Sequence, residues 1–170
     1  MILAAGYGSR LMPLTQLVPK PLLPVANMPT MAYGIRTLRA LGIRDICVNV
    51  SYMRQEIRRH FGDGEVNGVT LHWSEEETPL GTAGGVKRAS PLLKACTTVV
   101  IAGDAVLDCD LRPLVAAHRR RDALITLGSI SVDDPRRYGV IVTDTQGRIQ
   151  QYQEKPAPGE EISRQASTGI

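Results

Sequence analysis

The residues best suited to chemistry lie at the start of the chain, where two glycines and two cations follow a short apolar run. Gly6 and Gly8 come directly after Ile2–Ala5, whose apolar character predicts a buried strand. Because glycine lacks a Cβ atom, such a turn can adopt positive φ and let an anion approach several backbone N–H groups. Arg10 and Lys20 would add a planar fork and a compact charge. The combination suits a polyphosphate ligand, although the glycines taken alone also fit an ordinary strand-to-loop turn.

Two common phosphate-binding fingerprints do not match this turn. Leu11 occupies the position of the last glycine in the dinucleotide fingerprint, and no Gly-Lys-Ser/Thr follows as a P-loop would require. The ligand must therefore be inferred from residues further along the chain.

A carboxylate is also expected at the carboxyl end of a predicted strand. Asp104 follows the apolar run Thr97–Ala102, which predicts a core strand. Ligands of open α/β sheets bind at the carboxyl ends of strands, so Asp104 is a candidate binding residue, with turn capping as the alternative. Asp108 and Asp110 are interpreted mainly as turn and helix-start residues.

Several ordered motifs resemble those of sugar-nucleotide pyrophosphorylases, the nucleotidyltransferases that join a nucleoside triphosphate to a sugar 1-phosphate. The motifs are Leu3–Thr15, Pro19–Val25, Glu75–Gly84, Ala102–Asp104, Tyr138–Gly139, Glu154–Pro156 and Ser167–Ile170. Val50–Met53 and Glu75–Gly84 are most similar to mannose-1-phosphate guanylyltransferases, whereas glucose-1-phosphate thymidylyl- and uridylyltransferases share the remaining motifs. The resemblance therefore implies the reaction class and favours GTP and mannose 1-phosphate as substrates.

The same resemblance implies a role for each candidate residue. It implies catalytic roles for Arg10, Lys20 and Asp104, with Asp104 also holding Mg²⁺. Nucleotide binding would fall to Ala4, Ala5, Gly6, Gly8, Ser9, Gly81 and Thr82. The sugar phosphate would be held by Gly139, Glu154, Lys155 and Ser167. Successive strand residues point to opposite sides, so Glu154 and Lys155 can share a site only if the backbone turns nearby, at Pro156.

The reaction implied by the resemblance does not need a general base. A sugar phosphate is largely ionised near neutral pH because its second pKa is about 6. The protein's task is to position two anions and relieve their repulsion. His60, His72 and His118 lack metal-ligand spacing and are expected to play no metal-binding part.

Alternating strand-like and helix-like runs predict an α/β fold, a Rossmann-like α/β/α sandwich with a mostly parallel mixed sheet. Predicted helices are 30–41, 52–61, 84–95, interrupted near Pro91, and 111–121; predicted strands are 44–50, 69–74, 97–102 and 123–130. A β-hairpin is predicted from 138–143 and 148–154, with its turn at 145–147.

Composition sets the remaining bounds. The chain has 170 residues, 43% of them apolar, which fits one domain. Its net charge of +3 is too small and too scattered to indicate a nucleic-acid partner, and none is expected. Cys47, Cys96 and Cys109 lack metal-type spacing, so reduced thiols are expected, with Cys47 and Cys96 in the core. No run approaches the roughly 20 apolar residues of a membrane span, which predicts a cytoplasmic protein without a membrane partner. Homo-oligomer formation is left open.

Both ends are expected to be clipped within a single nucleotidyltransferase domain covering 1–170. Only about four residues remain of the first strand, where five or six are usual. The family's second metal-binding aspartate would follow Ile170, so this chain is expected to bind nucleotide weakly and turn over slowly or not at all. Alternatives are a polyol or alcohol phosphate cytidylyltransferase, a glycosyltransferase using Asp108 and Asp110, and a sugar-nucleotide-binding regulatory subunit without catalysis.

Overall fold

The computed structural model describes residues 1–62, 64–66, 68–94 and 96–170. Its backbone divides into two compact units, Met1–Arg112 and Pro113–Ile170. The single-domain assignment for 1–170 stays a prediction. Among the described residues, no helix has the length and apolar character needed to cross a bilayer.

One mostly parallel sheet organises the first unit. The strands of this unit are β1 (Ile2–Leu3), β2 (Pro24–Val25), β3 (Met28–Pro29), β4 (Asp45–Val50), β5 (Gly64–Val66), β6 (Val69–Glu75) and β7 (Ile101–Ala102). The sheet order is β5-β6-β4-β1-β7, with β5 antiparallel to β6 and the other neighbours parallel; β2 and β3 form a separate pair. This mixed α/β architecture confirms the predicted fold class.

The central strand β4 explains why the sequence folds this way. Residues 46–50 are all buried, as expected for a parallel strand covered on both faces. Its neighbours β1 and β6 run in the same direction, so the carboxyl ends of all three strands meet at one edge. The predicted strands 44–50 and 69–74 are confirmed to within one residue at each end.

The helices are α1 (Leu14–Leu17), α2 (Thr30–Ala40), α3 (Arg54–Phe61), α4 (Gly81–Ala89) and α5 (Arg112–Arg121), which starts at the last residue of the first unit. Three lie close to their predicted ranges. The fourth prediction, 84–95, starts three residues late. It also runs too far, because α4 ends at Ala89 and a 3-10 turn containing Pro91 follows. Its predicted last residue, Ala95, lies outside the described residues.

Two predicted strands are much too long. Only Ile101–Ala102 of the predicted strand 97–102 joins the sheet, because its ladder partner β1 offers only Ile2 and Leu3. Cys96, before this segment, is exposed rather than in the core, whereas Cys47 in β4 is buried; all three cysteines are free thiols. Of the predicted strand 123–130, most residues lie outside any strand.

The second unit contains an antiparallel sheet. Its strands are β8 (Ser129–Ser131), β9 (Gly139–Thr143), β10 (Ile149–Glu154) and β11 (Gln165–Ser167), in the order β10-β9-β11-β8. The predicted hairpin is confirmed as β9 and β10. Its turn is closed by the Asp144 carboxylate, which accepts hydrogen bonds of 2.9 Å from the backbone N–H groups of Gln146 and Arg148. Hydrogen bonding to the charged form holds the pKa of Asp144 below its ordinary value.

Candidate functional site

The glycine turn after β1 is held in one conformation by the chain that follows it. Gly8 has a left-handed φ of 67°, and a Cβ atom placed on it would lie 2.8 Å from Thr15 Cγ2. The buried Thr15 hydroxyl donates a 3.0 Å hydrogen bond to the Gly8 carbonyl oxygen. Both the conformation and the close approach therefore require glycine at this position.

A second layer supports Thr15. The Tyr52 hydroxyl, in the loop after β4, donates a 3.0 Å hydrogen bond to the Thr15 carbonyl oxygen. The Tyr52 ring also meets the ring of Tyr7 edge to face, with centroids 5.6 Å apart. The glycine turn is thus tied to the loop that follows the neighbouring strand.

Lys20 and Asp104 form an ion pair beside this turn, although 84 positions separate them in the chain. The contact exists because β7 runs directly beside β1. The Gly103 N–H donates a 2.8 Å hydrogen bond to the Leu3 carbonyl oxygen, and a Cβ atom on Gly103 would lie 2.9 Å from that same oxygen. Gly103 thereby brings Asp104 to the carboxyl end of β1.

These groups surround one open cavity of about 220 Å³. It is lined by Leu3, Ala4, Gly6, Gly8, Ser9, Arg10, Lys20, Pro21 and Asp104. Two cations face one carboxylate there, so the lining carries a net positive charge suited to an anion. Most of the predicted nucleotide-site residues meet at this cavity, whereas Ala5 is buried and is absent from the described lining.

Gly81 and Thr82 lie instead at the exposed start of α4. Gly81 has a φ of 74°, and nothing lies within 4 Å of a Cβ atom built there, so conformation rather than crowding favours glycine. A chain of hydrogen bonds through Asn49 and Glu76 connects this segment to β1.

The four predicted sugar-phosphate residues lie close together in the second unit. Glu154 is paired with Gly139 in the β9–β10 ladder. Ala166 is paired with Val140, so the antiparallel register puts Ser167 across from Gly139 on the other side. Lys155 Nζ lies 3.0 Å from Glu154 Oε1.

The backbone turns one residue earlier than expected. Lys155 has a left-handed φ of 45°, so regular alternation ends at Glu154 and the ammonium group folds back to the neighbouring carboxylate. The alternation that would have separated Glu154 from Lys155 therefore does not apply.

Tyr152 is an unforeseen member of this cluster. Its hydroxyl donates a 2.7 Å hydrogen bond to Glu154 Oε2, and its ring occupies the space that a side chain on Gly139 would need. The hydrogen bond from Tyr152, followed by that from Lys155, lowers the pKa of Glu154. The same hydrogen bond to Glu154 raises the pKa of Tyr152.

Comparison with known proteins decides the family. The nucleotidyl transferase family model matches residues 1–170. The chain belongs to the nucleotidyl transferase family. This confirms the predicted resemblance, since the similar proteins are named as sugar-1-phosphate nucleotidyltransferases.

A UTP–glucose-1-phosphate uridylyltransferase from Synechocystis is 40% identical over 184 residues, covering 100% of this chain and 47% of the relative. A mannose-1-phosphate guanylyltransferase from Mycobacterium tuberculosis is 36% identical over 155 residues, covering 91% of this chain and 43% of the relative. The chain thus spans about half the length of the curated relatives it matches.

A solved structure has the same fold. It is a Bacillus anthracis protein assigned as a glucose-1-phosphate thymidylyltransferase and crystallised with sucrose. The TM-score is 0.86 at 31% sequence identity, covering 99% of this chain and 68% of that one.

Sequence reasoning on this nucleotidyl transferase missed Asn49 and Glu76. Asn49 is 2% exposed and Glu76 is 1% exposed, and both lie at the carboxyl ends of strands. A usable signal existed for Asn49, a polar residue inside the otherwise apolar run of β4, because buried polar groups are hydrogen-bonded. Glu76 was hidden within the acidic run Glu75–Glu77.

Proposed function

We propose that this protein transfers a nucleotidyl group from a nucleoside triphosphate to a sugar 1-phosphate, giving a sugar nucleotide and pyrophosphate. The supporting observation is the cavity where the Gly8 turn, Arg10, Lys20 and Asp104 meet. The names of similar proteins support the same reaction class.

Arg10 and Lys20 would neutralise the triphosphate and the charge that develops as pyrophosphate leaves. The Lys20 ammonium is held toward the cavity by Asp104. Among the described residues, the Arg10 side chain makes no hydrogen bond or ion pair and is available to a ligand. The backbone N–H groups of the Gly6–Gly8 turn would add uncharged donors.

Asp104 is the residue proposed to hold Mg²⁺. No cluster of three His, Cys, Asp or Glu side chains able to hold a metal occurs in the described part of the chain. One carboxylate nevertheless fits this ion, because Mg²⁺ is commonly bound by one or two carboxylates together with substrate phosphates and water. When bound, the ion would neutralise phosphate charge.

The cluster in the second unit is proposed to bind the sugar phosphate. Glu154 would accept hydrogen bonds from sugar hydroxyls, and Lys155 would contact the phosphate. Gly139 lies beside Glu154 in the sheet and Ser167 lies on the other side of Gly139, and both would contact the same ligand. Because the Tyr152 hydroxyl already donates to Glu154 Oε2, a sugar hydroxyl at that oxygen would have to share it with the phenol or replace the phenol.

GTP and mannose 1-phosphate are the substrates we propose. Mannose-1-phosphate guanylyltransferases from Mycobacterium tuberculosis and Candida albicans, 36% and 38% identical, favour this pair. UTP or dTTP with glucose 1-phosphate is the second candidate, favoured by the Synechocystis and Bacillus anthracis proteins. The cytoplasmic location and homo-oligomer formation stay predictions.

A pyrophosphate-release assay tests the reaction. GTP, UTP, dTTP, CTP and ATP are each combined with mannose 1-phosphate and glucose 1-phosphate, with Mg²⁺ present, and the sugar nucleotide is identified by mass spectrometry. We expect the highest kcat/KM with GTP and mannose 1-phosphate. No product from any pair with the full-length protein would refute the proposal and favour a regulatory, sugar-nucleotide-binding role.

A further inference from the structure

We propose that Asn49 and Glu76 are a positioning pair, which sets the placement of two backbone segments that the family resemblance assigns to nucleotide binding and through which we infer that the nucleobase is selected. The segments are Ala4–Gly6 after β1 and Leu80–Thr82 before and at the start of α4. This inference rests on the proposed function, which gives the protein a nucleotide to select.

The pair forms an unbroken chain of hydrogen bonds. The Ala4 N–H donates to Asn49 Oδ1 at 2.9 Å, and Asn49 Nδ2 donates to Glu76 Oε1 at 2.7 Å. Glu76 Oε2 then accepts a 2.8 Å hydrogen bond from the Leu80 N–H. Two backbone segments, 76 positions apart at Ala4 and Leu80, are thereby joined through two side chains.

The side chains of Asn49 and Glu76 are buried, so their hydrogen bonds within the protein are hard to replace. Glu76 is 1% exposed and Asn49 is 2% exposed, so an unsatisfied polar atom on either would be costly. Both carboxylate oxygens of Glu76 are already occupied by protein donors. Glu76 is absent from the described lining of the cavity, so we infer that it acts through the backbone segments rather than on the ligand.

Helix α4 closes directly over the pair. A Cβ atom on Gly85 would lie 2.6 Å from Asn49 Nδ2 and 2.9 Å from Glu76 Oε1. Glycine at this position therefore lets the helix approach the two side chains. Because Leu80 immediately precedes α4, the contact also fixes where the helix begins relative to β4.

The direction of each hydrogen bond provides a test. In Glu76→Gln, the side chain keeps one acceptor oxygen and gains an NH₂ group in place of the other. Whichever way the amide is oriented, this NH₂ group faces another donor, either Asn49 Nδ2 or the Leu80 N–H. In Asn49→Asp, a second carboxylate faces Glu76. In the double variant N49D/E76Q, the carboxylate introduced at position 49 still accepts from the Ala4 N–H, while the amide introduced at position 76 donates to that carboxylate and accepts from the Leu80 N–H. The formal charge is unchanged, and only the central hydrogen bond is reversed.

The experiment compares wild type, both single variants, the double variant and Glu77→Gln, the same change at the exposed neighbouring glutamate. Amide hydrogen exchange is measured at Ala4 and Leu80, and dissociation constants are measured for GTP, UTP, dTTP, CTP and ATP without a sugar substrate. We expect each single variant to lose amide protection and to bind the preferred triphosphate about tenfold more weakly, with less discrimination. We expect the double variant and E77Q to resemble wild type in both measurements.

Several results would overturn the inference. Equal weakening for all triphosphates in the single variants would indicate a purely structural pair. Restored amide protection without restored discrimination in the double variant would mean that the Glu76 carboxylate acts on the base itself. If a single variant does not fold, the comparison of the double variant with wild type tests the inference. A double variant that also fails to fold would refute the expectation that the reversed hydrogen bond replaces the original one. Wild-type protein that binds no triphosphate would refute the proposed function, and with it the role of the pair, before any variant is compared.

Discussion

Gly6 and Gly8 belong to the same turn, but the structure demands glycine only at the second. Nothing lies within 4 Å of a Cβ atom built on Gly6, whereas one on Gly8 would meet Thr15 Cγ2 at 2.8 Å and Lys20 Cβ at 3.3 Å, with φ at 67°. Forcing another residue into a left-handed conformation costs about 1–3 kcal/mol even before such crowding.

We therefore expect Gly8→Ala to lower the free energy of unfolding by about 1–3 kcal/mol or more, and Gly6→Ala to change it by less than about 0.5 kcal/mol. Urea unfolding followed by circular dichroism measures both. Equal losses in the two variants would contradict the difference that the structure shows.

Lys20 is expected to act through its charge toward the ligand. In Lys20→Gln we expect nucleoside triphosphate affinity to fall by about 10- to 100-fold, since hydrogen bonds to charged groups contribute about 1.5–3 kcal/mol. Lys87→Gln removes the same charge from an exposed position on α4 and is the matched control. Calorimetric titration with GTP and UTP measures both, and similar losses would indicate a general effect of net charge.

The hydrogen bond from Tyr152 to Glu154 leads to a prediction about the pKa of this carboxyl group. The Tyr152 and Lys155 hydrogen bonds lower the pKa of Glu154 from 4.5. The stabilisation that they supply is present above that ordinary value and is lost as the pH falls through the lowered pKa.

In Tyr152→Phe we expect the pKa of Glu154 to rise toward its ordinary value, because its largest stabilising contact is removed. Carbon-detected NMR titration of the carboxyl group measures the change. Tyr138→Phe, which removes a phenol from the residue before Gly139, serves as control. An unchanged pKa in Y152F would show that the phenol does not hold the carboxylate.

At the level of elements, α4 packs too closely for an added methyl group. Alanine normally stabilises a helix by about 1 kcal/mol relative to glycine. At Gly85, however, that methyl group would press on Asn49 Nδ2 and Glu76 Oε1, whose positions are fixed by hydrogen bonds. Helix propensity and packing therefore act in opposite directions at this residue.

We expect packing to prevail, so that Gly85→Ala destabilises the protein by about 1–3 kcal/mol. Gly34→Ala in α2 is the comparison, since the atom it meets, Ile101 Cδ1 at 2.9 Å, is the end of a flexible side chain. Thermal unfolding of both variants measures the difference. A stabilised G85A protein would contradict close packing of α4 against the pair.

On the scale of the whole molecule, the two compact units differ greatly in core size. The second unit is fully described, and its buried apolar side chains are Val140, Ile141, Ala166 and the prolines Pro135 and Pro156, while Leu124 and Ile125 are largely exposed. A segment this short with so small a core rarely reaches even a few kcal/mol of stability.

We therefore expect a 113–170 fragment to show no cooperative thermal transition, because it cannot bury enough apolar surface to offset its conformational entropy. Circular dichroism of this fragment, alongside a 1–112 fragment, provides the measurement. A cooperatively folded 113–170 fragment would argue against the predicted single domain.

Local sequence was sufficient for features that depend on neighbouring residues. Gly8 was identifiable because only glycine readily adopts its φ, and β4 because its continuous apolar run matches a parallel strand covered on both faces. The β9–β10 hairpin followed from its turn residues. The predicted length of the strand at 97–102 was wrong, because a strand ends where its ladder partner ends, and β1 is short.

The family, the glycine turn and the residue types available for phosphate chemistry could all be read from the sequence alone, because side-chain identity and local conformation carry them. The folded chain was needed to show that Lys20 pairs with Asp104, and that Asn49 and Glu76 join the segments after β1 and before α4. The physical reason is that these partners lie far apart in the chain, and the order and register of the parallel strands bring their carboxyl ends together.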